Sequence, residues 1–197
     1  DIIVQEARRL AHLVENVLQY SRAERRVLRV RPEPHRLAPL VREIVERFAP
    51  LAGSAALRIR TELDEALVAR VHPESLHQVL VNLLDNAVKH GGPGGTIALR
   101  TKARDGWARI EVEDQGPGIP SEERERVFQP FVRLPRPGPA GSGIGLAVVR
   151  ELVQAQEGRC LVEDGAGGGA RFVVELPGAA RGESAGRTAQ PTTAGAR

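Results

Sequence analysis

The 197-residue chain contains no methionine, one cysteine, one tryptophan, one tyrosine and four phenylalanines. With Cys160 alone, an internal disulfide is excluded, and a reducing compartment is expected. Aromatics at 3% provide few of the stacking platforms that grip single-stranded nucleic acid. The positive charge is nearly all arginine, since Lys89 and Lys102 are the only lysines. The net balance of +3 is spread among interleaved acids rather than gathered in a patch. Together these features predict that nucleic acid is not a partner. No apolar run approaches the roughly 20 residues of a membrane span, and no signal-peptide pattern opens the chain. The lack of an initiator methionine predicts a fragment or a processed chain with sequence missing upstream. What is present is a hydrophobic content of 41%, enough for one packed domain and an appendage.

The first segment has apolar residues at Ile3, Ala7, Leu10, Val14 and Val17, a spacing that alternates four and three. That is a coiled-coil seam. Val4, Ala11 and Leu18 widen it, which predicts a bundle with several partners. Residues 27–36 are rich in arginine and proline and read as a linker. A helix over 37–52 places Leu40, Ile44, Phe48 and Leu51 on one face. Strands are expected at 57–63 and 66–71. His72-Pro73 opens a second helix, with proline at its favoured first position, and GGPGG at 91–95 ends it. TIALRTKA and WARIEVED form a hairpin about Asp105-Gly106. Residues 115–142 read as a Gly/Pro-rich loop, residues 145–156 as a helix, and RCLVED and ARFVVELP as strands about a glycine turn. From Gly178 onward small and polar residues predict a disordered tail. The expected fold is α+β: an α/β sandwich of one mixed sheet with helices on one face, preceded by the coiled-coil-like helix.

Three features carry chemistry. In HQVLVNLLDNAVKH (77–90), Gln78, Asn82 and Asn86 recur every fourth residue, on one face of a helix otherwise built for burial. Asparagine is a poor helix-interior residue, so two in register need a reason. An amide oxygen is a hard ligand suited to one position on Mg²⁺, and Lys89 offers a compact charge for a phosphate. In EDQGPGI, Asp114 ends a strand beside Gly116 and Gly118. An acceptor-only side chain among residues without Cβ suits an exocyclic amine such as adenine's. GSGIGL (141–146) stands directly before a helix, where freed backbone N–H groups make an anion site. It is neither a dinucleotide-binding fingerprint nor a P-loop. Each feature also has a structural reading: a solvated helix face, a strand-end turn, a flexible linker.

Taken in order, these motifs resemble those of the bacterial sensor histidine kinases of two-component systems, whose ATP-binding fold is shared with gyrase. NLLDNAVKH resembles the N box, DQGPGI the first glycine box, VFQPFVR the F box, and GSGIGLAVV the second glycine box. The resemblance covers roughly residues 1–177 and implies ATP and Mg²⁺ as ligands, a response regulator as partner, and a homodimer in the full-length protein. It implies a cytoplasmic location, either free or as the cytoplasmic part of a membrane-anchored kinase. Residues 1–26 resemble the second helix of the dimerisation and phosphotransfer hairpin, and 37–177 would be the ATP-binding domain. By resemblance Asn86 is the Mg²⁺ ligand, and Asn82 and Lys89 face the phosphates as the catalytic pair. His90, Gly116, Gly118, Ile119, Phe131, Arg133, Gly141, Ser142, Gly143, Ile144, Gly145 and Leu146 complete the nucleotide site, with Asp114 on the adenine amine. Arg124, Arg126 and Arg136 compete with Arg133 for the role of lid arginine. ATP-hydrolysing relatives carry glutamate at the position of Asn82; asparagine cannot activate water, which suits a site that donates phosphoryl to a protein.

The sequence also departs from the family pattern. No phosphoacceptor box is present, since none of His12, His35, His72 and His77 fits it. His72 stands for the usual aspartate and predicts a weakened N-cap. Ala170 stands where threonine is common, and Gln156-Glu157-Gly158 where His-Gly-Gly is frequent. Two other functions use related parts. A nucleotide-binding regulatory module would bind without phosphorylating, and a Ser/Thr anti-sigma kinase would lack the helical hairpin that the seam at 3–17 suggests.

Overall fold

The computed structural model describes residues 30–92, 94–134 and 142–179. The expected coiled-coil helix over 1–26, residues 27–29, Gly141 and Arg136 lie outside the described residues, as does the tail from residue 180.

Glu33–Arg36 form β1 and pair antiparallel with β3 (Val68–Val71), so residues read as the end of a linker belong to the folded body. Pro34 obscures this in the sequence. A two-stranded sheet has only edges, and there a residue without an N–H is tolerated. Leu37–Ser54 form α1, which buries Leu37, Val41, Ile44, Phe48 and Ala52. Arg58–Glu62 form β2, and Pro73–His90 form α2. The hairpin comprises β4 (Thr96–Arg104) and β5 (Trp107–Glu113), with Arg104 opposite Trp107. Asp105 and Gly106 both have positive φ, at 50° and 81°, as its two-residue turn demands. Gly145–Gln154 form α3, and Arg159–Asp164 and Ala170–Pro177 form β6 and β7.

The main sheet runs β2-β4-β5-β7-β6, with β2 parallel to β4 and the other pairs antiparallel. It is therefore mixed, as expected. The expected single sheet is in fact two, because β1 and β3 pair separately and touch the main body through a bridge between Ala69 and Gly178. That bridge also places Gly178 and Ala179, expected in a disordered tail, in the fold. Gly178 N–H donates to Gly106 O at 3.0 Å and Ala179 N–H to Val68 O at 3.1 Å.

Side chains alternate across a sheet. One set, including Leu99, Ile110, Val112, Phe172, Val174 and Leu176, joins Leu80, Leu83 and Leu84 of α2 and Val149, Leu152 and Val153 of α3 in one core. Phe128 meets Phe172 edge to face there at 6.3 Å.

His72 caps α2 rather than weakening it. Its Nδ1 accepts from Ser75 N at 3.3 Å and lies 3.1 Å from Ser75 Oγ. Nδ1 stands as many bonds from the backbone as an aspartate Oδ1, so the ring reaches the same donor. The His72 N–H donates at 2.8 Å to Oε1 of Gln156, whose amide is 1% exposed and itself donates to Leu152 O at 2.8 Å. Two of the departures from the family pattern thus bond to each other, joining the start of α2 to the end of α3.

Candidate nucleotide site

A groove of about 1110 Å³, counting the space open to solvent, lies between α2, the end of β5 and the start of α3. Of the residues expected to bind, α2 contributes Asn82, Asn86, Lys89 and His90 to its wall, and the turn after β5 contributes Asp114, Gly118 and Ile119. Arg133, Ser142, Gly143, Gly145 and Leu146 also line it.

Asp114 is 3% exposed, and its Oδ1 accepts from Gly116 N at 2.8 Å and Ala170 N at 3.2 Å. Burial pushes its carboxyl above the ordinary range, against the lowering effect of those two backbone donors. The glycines beside it are required by close backbone approach. A Cβ on Gly116 would stand 2.2 Å from His90 O, and Gly118 has φ +67° with Gly168 O 2.8 Å from where its Cβ would be. Gly116 does not line the cavity, contrary to expectation; it acts by donating to Asp114.

The two asparagines of α2 differ. Asn82 is engaged at both ends of its amide: Gln78 Nε2 donates to its Oδ1 at 3.1 Å, and its Nδ2 donates to Gly145 O at 3.1 Å. The side-chain amide of Asn86 has no hydrogen-bond partner among the described residues. Lys89 is paired with Asp85 at 2.5 Å, the ordinary four-residue spacing on a helix.

Two further expected residues do not line the cavity. Ile144 is buried in the hydrophobic core and does not line the cavity. Phe131 is 51% exposed and also absent from the lining. It has φ +65°, and its N–H donates to Gly143 O at 2.9 Å, so backbone geometry turns it away from its F-box companion Phe128. Among the arginines, Arg133 lines the cavity, while Arg124 pairs with Asp164 and Arg126 with Glu123.

Asp85, Pro117, Val127 and Val132, inside the motifs but not singled out there, and Leu134 and Phe172, outside them, also line the cavity. Val127, Val132, Leu134 and Phe172 give it an apolar side suited to a flat ring. Locally their apolar character is indistinguishable from ordinary core packing, and only the tertiary fold brings them to the groove.

A buried carboxylate, an apolar slot and a glycine-bearing rim are thus gathered on a mixed sheet covered by helices, a fold that matches the histidine-kinase-type ATPases. The chain belongs to the family described as histidine kinase-, DNA gyrase B- and HSP90-like ATPases, whose model matches residues 71–180. Within that family its relatives are sensor histidine kinases. The adaptive-response sensory kinase SasA of Synechococcus sp. (strain JA-3-3Ab) is 34% identical over 176 residues, which are 88% of this chain and 47% of that protein. The chain thus spans about half the length of that relative. The mycobacterial sensor histidine kinase MprB superposes with a TM-score of 0.65 at 32% identity, over 75% of this chain and 97% of that one. Full-length ShkA in complex with AMPPNP gives 0.72 at 30% identity, over 89% of this chain and 37% of that one.

Proposed function

We propose that the groove binds Mg-ATP and that the chain is the ATP-binding catalytic part of a sensor histidine kinase. The observation that carries this is Asp114: a buried carboxylate, fixed through Oδ1 by two backbone donors, beside an apolar slot. Holding an ionisable acid in such a place is costly unless a ligand uses it. An adenine amine would find its acceptor there, with the ring against Val127, Leu134 and Phe172.

The residues also fit a metal-bound phosphate chain. Asn86, whose amide is uncommitted among the described residues, would be the protein's ligand to Mg²⁺, and Lys89 would hold a phosphate oxygen after leaving Asp85. Mg²⁺ would supply charge neutralisation on the phosphates. Arg133, Ser142 and Gly143 also line the groove and would face the phosphates. Asn82 lines the same wall as Asn86, but its amide already holds Gly145; it would serve chiefly to keep the rim in place.

In the proposed reaction the γ-phosphorus bonds to an imidazole nitrogen of a partner helix as its bond to the β-phosphate oxygen breaks. ADP leaves and the ring N–H proton goes to solvent or a base. The phosphoryl group would then pass to a response-regulator aspartate. Dimerisation of the longer protein and a cytoplasmic location belong to the same proposal; no helix of the described residues is long and apolar enough to cross a membrane.

The test is thermal unfolding with and without Mg-ADP. A ligand at about 100 times its Kd stabilises by roughly 2.7 kcal/mol. The shift should appear in the wild type and vanish in Asp114→Ala. No shift in the wild type would refute the nucleotide site. Adding a protein that carries the histidine helix should then give acid-labile phosphorylation from Mg-ATP, and its absence would refute the kinase assignment while leaving the binding site standing.

A further inference from the structure

Gln78 does not line the groove, but it donates to Asn82, which does. Gly145 is the first residue of α3, and its carbonyl accepts from Asn82 Nδ2 at 3.1 Å. A carbonyl oxygen can only accept, so the NH₂ end of the Asn82 amide must face it. The oxygen end then points the other way, toward Gln78, whose Nε2 lies 3.1 Å from it. Since that end accepts, Gln78 must present a donor. The orientation of both amides is therefore set by one fixed backbone acceptor, and the chain Gln78 to Asn82 to Gly145 runs in one direction only.

We propose that Gln78 is a positioning residue: its donation to Asn82 fixes the Asn82 amide and so holds Gly145, and with it the groove wall formed by Gly145 and Leu146. The site of action lies where the backbone doubles back. Phe131 N–H donates to Gly143 O at 2.9 Å, with both residues at positive φ, two residues before Gly145. No side chain stands on Gly145 to pack it in place, and the nearest atom a Cβ would meet is Asn82 Cγ at 3.9 Å. The Asn82 amide thus covers a position that has no packing of its own, and its hydrogen bond takes over that role.

The proposal makes a chemical demand that mere packing would not: residue 78 must donate. Gln78→Glu keeps the shape but removes the donor. Asn82 must then either face an acceptor with its oxygen or turn its amide and set that oxygen against the Gly145 carbonyl. Gln78→Arg differs more in shape but carries only donors.

Amide hydrogen exchange in the 197-residue chain without nucleotide is the direct test. In Gln78→Glu, exchange at Val148 N–H, which bonds Ile144 O at 2.9 Å, and at Phe131 N–H should rise about tenfold. In Gln78→Arg it should stay within about twofold of wild type. Amides of β5 such as Ile110 should be unchanged in both, which excludes global unfolding as the cause. Equal exchange in Gln78→Glu and wild type would overturn the proposal, as would a rise in Gln78→Arg as large as in Gln78→Glu. The affinity arm rests on the nucleotide reading: Kd for Mg-ADP should weaken about tenfold in Gln78→Glu and not in Gln78→Arg. If the wild type binds no Mg-ADP, that reading fails, and the exchange measurements still decide the role of Gln78.

Discussion

On the side of the sheet that faces the helices, β5 presents Ala108, Ile110 and Val112; on the other it presents Arg109, Glu111 and Glu113, and these charged residues are nearly as buried. Arg109, 3% exposed, donates to Glu111 at 2.6 Å, Glu163 at 2.6 Å and Glu175 at 3.2 Å. Lys102 pairs with Glu111, Arg159 with Glu175, and Arg100 and Arg171 share Glu113. Arg159 also lies 4.9 Å from the centre of the Trp107 ring. The apolar face is stabilised by removal of surface from water and is insensitive to pH. The ionic face has its charges desolvated and compensated by close partners, so loss of one partner is costly, whereas replacement of a whole cluster by apolar residues is tolerated far better. At the end of β5 the strand passes from this compensated environment to Asp114, an acid that has backbone donors but, among the described residues, no paired arginine.

The sharpest way to break the comparison is Arg109→Met. It leaves Glu111, Glu163 and Glu175 without their shared partner, and Glu111 and Glu175 are buried. Removing one member of a buried pair costs about 3–5 kcal/mol, so denaturant unfolding should show a loss in that range. Replacing a whole cluster with apolar residues should cost far less. A loss under about 1 kcal/mol would mean that the grid is a solvated surface feature.

Acid should separate the two environments next. For Glu111, Glu113 and Glu175, burial alone would raise the carboxyls, but the arginine and lysine hydrogen bonds outweigh it and hold them below the ordinary 4.5. Their contribution to stability is therefore complete above about 4.5 and is lost as pH falls through the lowered folded values. Asp114 has the opposite sign. Its folded value lies above the ordinary 3.8, so its contribution is favourable below that and is lost as pH rises through the folded value. At neutral pH its charge is a burden to the ligand-free fold. Asp114→Asn keeps an Oδ1 acceptor for Gly116 and Ala170 and should raise the ligand-free Tm, while Mg-ADP no longer shifts it. A lower Tm at neutral pH would show that the charge is stabilising there.

The sequence displayed the apolar face and hid the ionic one. Alternation in WARIEVE is compatible with Ala108, Ile110 and Val112 facing inward, but locally the charges between them are indistinguishable from a solvated face. Nothing local says that Arg109 meets Glu163 and Glu175 across two other strands. The four motifs placed most of the groove wall, because backbone approach at Gly116 and Gly118 and the four-residue spacing on α2 are local constraints. That Phe131 and Ile144 lie outside the groove wall was not legible, because which way a residue faces in an irregular segment depends on φ, which the sequence does not display. Gln78 stood on the same stripe as the asparagines, yet its role needed Gly145, 67 positions further on, to become visible.

The smallest expected effect lies at the junction of the two environments. Ala170 opens β7, its N–H donates to Asp114 Oδ1 at 3.2 Å, and its side chain joins the wall of the groove. A threonine there would add one hydroxyl near the proposed adenine position without touching the ionic grid. One neutral hydrogen bond is worth about 1 kcal/mol, so Ala170→Thr should tighten Mg-ADP about fivefold by calorimetry. The ligand-free Tm should fall slightly, because the new hydroxyl is buried without a partner until the ligand arrives. Opposite signs for affinity and ligand-free stability are the signature of a polar group placed for a ligand. If both fall together, the position serves packing, and Asp114 alone among these two residues reads the ring.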